Sequence, residues 1–162
     1  ILSFSCFAEN IRVINLDLVI NQNISFQKLI NEIENDQNNH KQHFNNIEKN
    51  LSIKLDEIDE LKLILNSNEL DKEIQKYNSQ LNEFNKKINY FNLHYDNQLN
   101  NMRNIILDKA LELIQGYSLE NKIDLIIESK SYIMASNSIN ITDIILDKLN
   151  KIKFETKFKK FE

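Results

Sequence analysis

Two stretches of this chain carry the same apolar rhythm, and each mirrors the other. The first runs Ile30, Ile33, Gln37, His40, Phe44, Ile47, Leu51, Lys54, Ile58, Leu61 and Leu65, in steps alternating between three and four. The second runs Leu70, Ile74, Tyr77, Leu81, Phe84, Ile88, Phe91, Tyr95, Gln98, Met102 and Ile105, with the same alternation. Residues at that spacing share one stripe of a helix and form the seam of a coiled coil. Paired from the inside outwards, Leu65 meets Leu70, Phe44 meets Phe91 and Ile30 meets Ile105, all in register about a point near Ser67 and Asn68. A chain with this mirror pattern folds back on itself as an antiparallel helical hairpin. Each arm spans on the order of 55 Å at 1.5 Å per residue. That is too long to lie inside a compact domain of this size, so the arms are expected to project.

Few chain breakers support few, long elements: the 162 residues include one Gly and no Pro. Asn23 or Ser25 can cap the first long helix, because a short polar side chain accepts from its free N–H groups. Asn66-Ser67-Asn68-Glu69 supplies the turn, with Asn66 and Glu69 spaced as a capping box. Gly116 is placed to close the second helix in the left-handed conformation, so the hairpin is expected over residues 25–116. Three of its layers are not purely apolar: Gln37 with Gln98, His40 with Tyr95, and Lys54 with Leu81. Such layers set register at some cost in stability. The adjacent pair Gln37/Gln98 and His40/Tyr95 also reads as a flexure point. Ile53, Leu55, Leu63, Ile64, Tyr90 and Leu93 lie off the seam. They either broaden the apolar stripe or form an adaptable surface for apolar segments of another protein.

The flanks read as a small body. Residues 1–8 run Ile-Leu-Ser-Phe-Ser-Cys-Phe-Ala, and Cys6 and Ala8 are spaced as in a secretory cleavage site. They read as a signal-peptide remnant, with a buried strand as the plainer alternative, in a chain that starts without Met. Ile11 to Leu16 is β-branched and short, a strand, followed by a connector with room for one helical turn. Ile123 to Ile127 and Tyr132 to Ala135 read as two more strands. A helix then opens at Asn140 or Thr142, with Ile144, Ile145, Leu149 and Ile152 on its apolar side. The expected fold class is α+β: a small β-sheet body, residues 9–24 and 117–152, carrying the coiled-coil hairpin. Residues 153–162 form a Lys- and Phe-rich tail. So few apolar residues make a poor solitary core, and three strands leave open edges. Several copies merging their sheets would solve both problems, through Val13, Ile14, Ile123, Leu125, Ile127, Ile133, Ile144 and Ile145.

No catalytic motif appears: there is no Gly-rich phosphate loop and no nucleophile–His pairing. An enzyme is not expected, nor is a cofactor. His40, His43 and His94 fall near one another at mid-hairpin, but only His40 is on the seam and no carboxylate or Cys completes a metal motif. A net charge of -4 gives no support for nucleic-acid binding. No apolar run is long enough to span a membrane. The hairpin tip carries Lys54, Lys62 and Lys72 against Asp56, Glu57, Asp59, Glu60, Glu69, Asp71 and Glu73, which argues against docking on anionic lipid.

An N-terminal strand, a long hairpin, Gly116-Tyr117, the segment Ile123 to Ala135, and Ile139-Asn140-Ile141-Thr142 with Leu149-Asn150 occur in that order. This ordered set resembles the Skp/OmpH family of periplasmic chaperones over residues 11–150. The resemblance implies a homotrimer with a barrel-like β body and three hairpin arms enclosing a cavity. It further implies a periplasmic protein, exported by its signal peptide, that holds unfolded outer-membrane proteins without ATP. Well-known members are basic; the acidic tip here runs against membrane-surface or lipopolysaccharide binding. The tail has no counterpart in the family pattern. The rival reading is an exported structural or adhesive coiled-coil scaffold that binds one defined partner through rigid arms.

Overall fold

The structure, a computed structural model, describes residues 10–155 and 157–162. The signal-peptide reading of residues 1–8 lies outside them. In chain order the elements are strand β1 (Ile11–Ile14), helix α1 (Leu16–Asn21), helix α2 (Ile24–Leu61), helix α3 (Ser67–Asn121), strand β2 (Leu125–Glu128) and helix α4 (Thr142–Asn150). Short 3-10 turns occupy Ser129–Ser131 and Asn137–Ile139. The fold is α+β, a long helical hairpin with a two-stranded sheet. The chain divides into two compact units. One takes residues up to Ile30 with Leu99–Lys157; the other takes Asn31–Gln98 with Phe158–Glu162.

In the first unit β1 and β2 pair in parallel, Ile11 opposite Leu125 through Ile14 opposite Glu128. The other edge of β1 is met by a bridge from Val13 to Asn140 and by Ile141 N–H donating to Val13 O at 2.9 Å. The expected strand at Tyr132 to Ala135 does not form. Both edges of β1 are already engaged, and these residues fall between the two 3-10 turns, with Ile133 fully exposed at 103%. The core gathers Val13, Ile14, Val19, Ile20, Phe26, Leu29, Met102, Ile106, Ala110, Ile141, Ile145 and Leu149. Burying one such large aliphatic side chain contributes about 1.5–3 kcal/mol.

The seam changes face in this unit. Ile105, the expected seam residue, is 45% exposed and its neighbour Ile106 is 0% exposed. Likewise Leu29 is buried where Ile30 was expected, and Ile30 is half-buried. Met102, Ile106 and Ala110 follow steps of four. A straight helix drifts against a 3.5-residue repeat, and here α1, α4 and the sheet, not a heptad, decide which face is buried.

The C-terminal end of α3 differs from expectation. Gly116 does not end it; the helix runs five residues further, to Asn121. Lys122 takes the left-handed conformation at φ 50 instead. Ile123 N–H reaches Ser118 O at 3.0 Å and Lys122 N–H reaches Leu119 O at 3.4 Å, the paired bonds of a Schellman motif. The side-chain amide of Asn10 donates to Asn121 O and Lys122 O, at 2.8 and 3.0 Å, giving two more carbonyls at this end a partner. Tertiary partners therefore stop this helix where its own sequence does not. At the other end the hairpin turn is Lys62 to Asn66, earlier than expected, so Leu65 lies in the turn. Asn66 Oδ1 accepts from Glu69 N at 3.1 Å, which starts α3 at Ser67.

Of two other caps, one follows the sequence and one does not. Asn23, buried, accepts from Ser25 N and Phe26 N at 3.1 and 3.2 Å and so starts α2. The cap position of α4 is neither Asn140 nor Thr142 but Ile141. Asn140 Oδ1 instead takes the backbone N–H and hydroxyl of Thr142, at 2.9 and 2.6 Å, from one position outside.

Candidate functional site

The second unit holds the mid and distal parts of α2 and α3. Phe44 and Phe91 meet edge to face at 4.9 Å, as their mirror positions require. Further along, Ile47, Asn50, Leu51 and Lys54 from α2 and Gln80, Glu83, Phe84 and Lys87 from α3 line a groove of about 460 Å³. Its lining combines apolar Ile47, Leu51 and Phe84 with the stems of Lys54, Glu83 and Lys87, so it can hold an apolar side chain while keeping polar heads in water.

The six off-seam apolar residues all remain exposed. Leu63 (91%) and Ile64 sit in the hairpin turn; Ile53 and Leu55 flank the distal α2, and Tyr90 and Leu93 lie on α3. None is drawn into the seam.

The polar layers at mid-hairpin form something the sequence did not suggest. Tyr95 is buried, and its O–H donates to Asp36 Oδ2 at 2.6 Å. The same oxygen accepts Phe161 N–H at 3.1 Å. Gln98 donates to Lys159 O at 3.0 Å and accepts from Lys159 N at 2.8 Å. His94 Nε2 lies 2.7 Å from Lys159 O; a carbonyl only accepts, so Nε2 carries the proton. The ring of Phe161 is ringed by Phe91, His94 and His40, with centroids 5.0, 5.6 and 5.7 Å away. The tail segment Phe158–Glu162 is thus docked on the hairpin. Of the four residues named for flexure, Gln98 and Tyr95 bind this segment or its anchor, His40 walls its ring, and Gln37 stays half-buried. Asp36 and Phe161 escaped sequence reasoning, and His94, placed beside His40 at mid-hairpin, was given no such role. Asp36 lies one position off the seam, and a tail without periodicity gives no hint of its landing place.

Burial alone would raise the Asp36 carboxyl. The hydrogen bonds from Tyr95 and Phe161, with His40 and Lys160 nearby, outweigh it and hold the group below its ordinary 3.8. Tyr95 is pushed well above the usual phenol range by burial, by its bond to Asp36 and by that carboxylate's charge. A carboxylate depressed in the folded state contributes stability above its unfolded value and loses it as pH falls through the folded one. Segment docking is therefore expected to weaken as pH falls below roughly 4. The amide resonance of Phe161 followed by NMR checks this. In Asp36→Asn that resonance should show no such acid-dependent step, and an identical step there would remove Asp36 as its cause.

The residues named for oligomerisation divide by position. Val13, Ile14 and Ile145 are buried within the protomer, and Ile123 and Ile127 are half-buried. Leu125, Ile133 and Ile144 are exposed, beside an exposed Met134. Asp17 ties this unit's surface together: it accepts from Lys130 Nζ at 2.5 Å and from the Arg103 guanidinium, and the Lys130 bond, foremost, holds its carboxyl below the ordinary value. Among the described residues no group of three metal-ligating side chains converges, and no helix is long and apolar enough to cross a membrane.

A paired-helix hairpin with exposed apolar flanks, joined to a small parallel sheet, defines a coiled-coil hairpin protein of the α+β class. Within that class the chain belongs to the OmpH-like family of outer membrane proteins, whose profile matches residues 10–149. Its fold is similar to the crystal structure of a candidate outer membrane chaperone (OmpH-like) from Caulobacter crescentus CB15. The TM-score is 0.67 at 9% identity, covering 98% of this chain and 96% of that one. No curated protein matches the sequence.

Proposed function

We propose that this chain is a periplasmic holdase that binds unfolded outer-membrane proteins, without nucleotide, in a cavity between the helical arms of a homotrimer. The observation that carries this reading is the set of exposed apolar side chains on the hairpin: Ile53, Leu55, Leu63, Ile64, Tyr90 and Leu93. A paired helix with no client has no reason to leave them in water. Scattered and separate, each makes a weak contact, and several together hold an apolar chain reversibly. Family membership supports the same reading. In it, residues 25–116 serve as the arm, with Gln37/Gln98 and His40/Tyr95 where it would yield. Residues 9–24 and 117–152 serve as the trimerisation body. The edge of β2 left unpaired among the described residues, with exposed Leu125, Ile133 and Ile144, supplies a surface for neighbouring copies.

The test dilutes an outer-membrane barrel protein from urea with and without this protein, with no nucleotide present. Light scattering should fall in its presence. Replacing Leu63, Ile64, Tyr90 and Leu93 together by Ser should weaken that effect severalfold while leaving the sedimentation mass near three protomers. Full suppression by the quadruple variant would remove these residues from the client surface. Tight binding to one native partner, with no effect on aggregation, would favour the scaffold reading.

A further inference from the structure

The five residues Phe158–Glu162 are held by very little besides backbone and one ring. Gln98 bonds both the N–H and the C=O of Lys159, the pair of bonds a neighbouring β-strand would offer. His94 doubles the grip on that carbonyl. Two residues on, Asp36 takes the Phe161 N–H, and the Phe161 ring enters the socket of His40, Phe91 and His94. Lys159 and Lys160 are exposed. What this site reads is an extended backbone with an aromatic ring two residues after the gripped position.

We propose that the socket is a recognition site for extended, aromatic-bearing segments of an unfolded client, and that Phe158–Glu162 is a built-in occupant which such segments displace. The proposal rests on the holdase reading above and names the chemistry that reading lacks. Two features support it. The contacts are indifferent to most side chains, as a site for many clients must be. And the occupant's anchoring ring is only half-buried, so a competing ring can reach the socket. An occupant in the same chain acts at an effective concentration on the order of millimolar. It therefore excludes isolated weak peptides and yields to a chain that presents several aromatic segments at once.

The experiment uses the full chain and a fluorescent, end-capped peptide with the sequence of residues 157–162. Fluorescence anisotropy compares the unaltered chain with Phe161→Ala, whose socket has lost its occupant's ring. The peptide should bind Phe161→Ala roughly tenfold or more tightly than it binds the unaltered chain. Adding Gln98→Ala should return binding to the weak level, and a peptide carrying Ala at its own second Phe should not bind. Circular dichroism checks that each variant is folded; Phe158→Ala with Phe161→Ala is the second opened form. Equal, weak binding by unaltered and opened chains would overturn the proposal and leave the segment a fixed strap. A heavier species formed when unaltered chain is mixed with Phe161→Ala would assign the socket to a second copy, which also overturns it. Aggregation suppression is measured on the same samples. Suppression without peptide binding would sink the socket alone; peptide binding without suppression would sink the holdase reading alone.

Discussion

Phe91→Ala should lower the stability of this protein by roughly 3–5 kcal/mol, the cost of emptying a buried aromatic site. Phe91 is the hub of the hairpin's ring cluster. It meets Phe44 at 4.9 Å, Tyr95 and Phe161 at 5.0 Å each, and His40 at 5.5 Å, all edge to face. Each such pair is worth about 0.5–1.5 kcal/mol beyond its buried area. Collapse into the gap is obstructed, because Tyr95 is tied to Asp36 and cannot follow without leaving that carboxylate short of a partner. The substitution should also loosen Phe158–Glu162, whose anchoring ring loses one wall. Urea titration followed by far-ultraviolet circular dichroism measures the first effect, a suitable probe since the chain has no Trp. Leu93→Ala, exposed on the same helix, should stay within about 0.5 kcal/mol of the unaltered protein. A Phe91→Ala cost below about 1 kcal/mol would mean that the other seam layers, not the ring cluster, hold the helices together.

Asn23→Ala should cost about 2–4 kcal/mol, large for a single polar side chain. Asn23 is 1% exposed and does two jobs at once. Its Oδ1 caps α2 through Ser25 and Phe26, a contribution of about 1 kcal/mol. Its Nδ2 donates to Asn150 Oδ1 at 3.0 Å, and that same oxygen accepts from Ile24 N at 3.0 Å. The first turn of the long helix is thereby bound to the end of α4. Alanine leaves buried donors unpaired, at about 1–3 kcal/mol. Asn23→Ser keeps a capping oxygen but not the reach to Asn150, so it should fall midway. A double-mutant cycle with Asn150→Ala should return a coupling of at least about 0.5 kcal/mol. Additive losses would mean that the cap alone accounts for the cost.

What could be read from residue spacing alone was whatever depends on neighbours three or four positions away. The heptad steps placed Phe44 against Phe91, and Asn23 and Asn66 declared themselves as helix starts, because periodicity and capping are local properties. The misses share one cause. Tyr132 to Ala135 has strand composition, yet it lies between two 3-10 turns, and it is Ile141, further along the chain, that meets β1. Gly116 has stop-signal chemistry, yet an added Cβ there meets nothing within 4 Å, and the helix runs on to where Asn10 and Lys122 end it. Ile105 kept the heptad while Ile106 took the burial, since the body offered a surface that the repeat does not encode.

The landing of Phe161 is the extreme case. Asp36, Tyr95, Gln98 and the Lys159–Phe161 backbone are brought together across about 60 to 125 positions of sequence. The sequence by itself determined the helical hairpin and its register around Phe44 and Phe91, because short-range periodicity encodes those directly. Only the tertiary structure decided that the hairpin's polar layers hold a peptide segment, because hydrogen bonds between distant residues have no period to read.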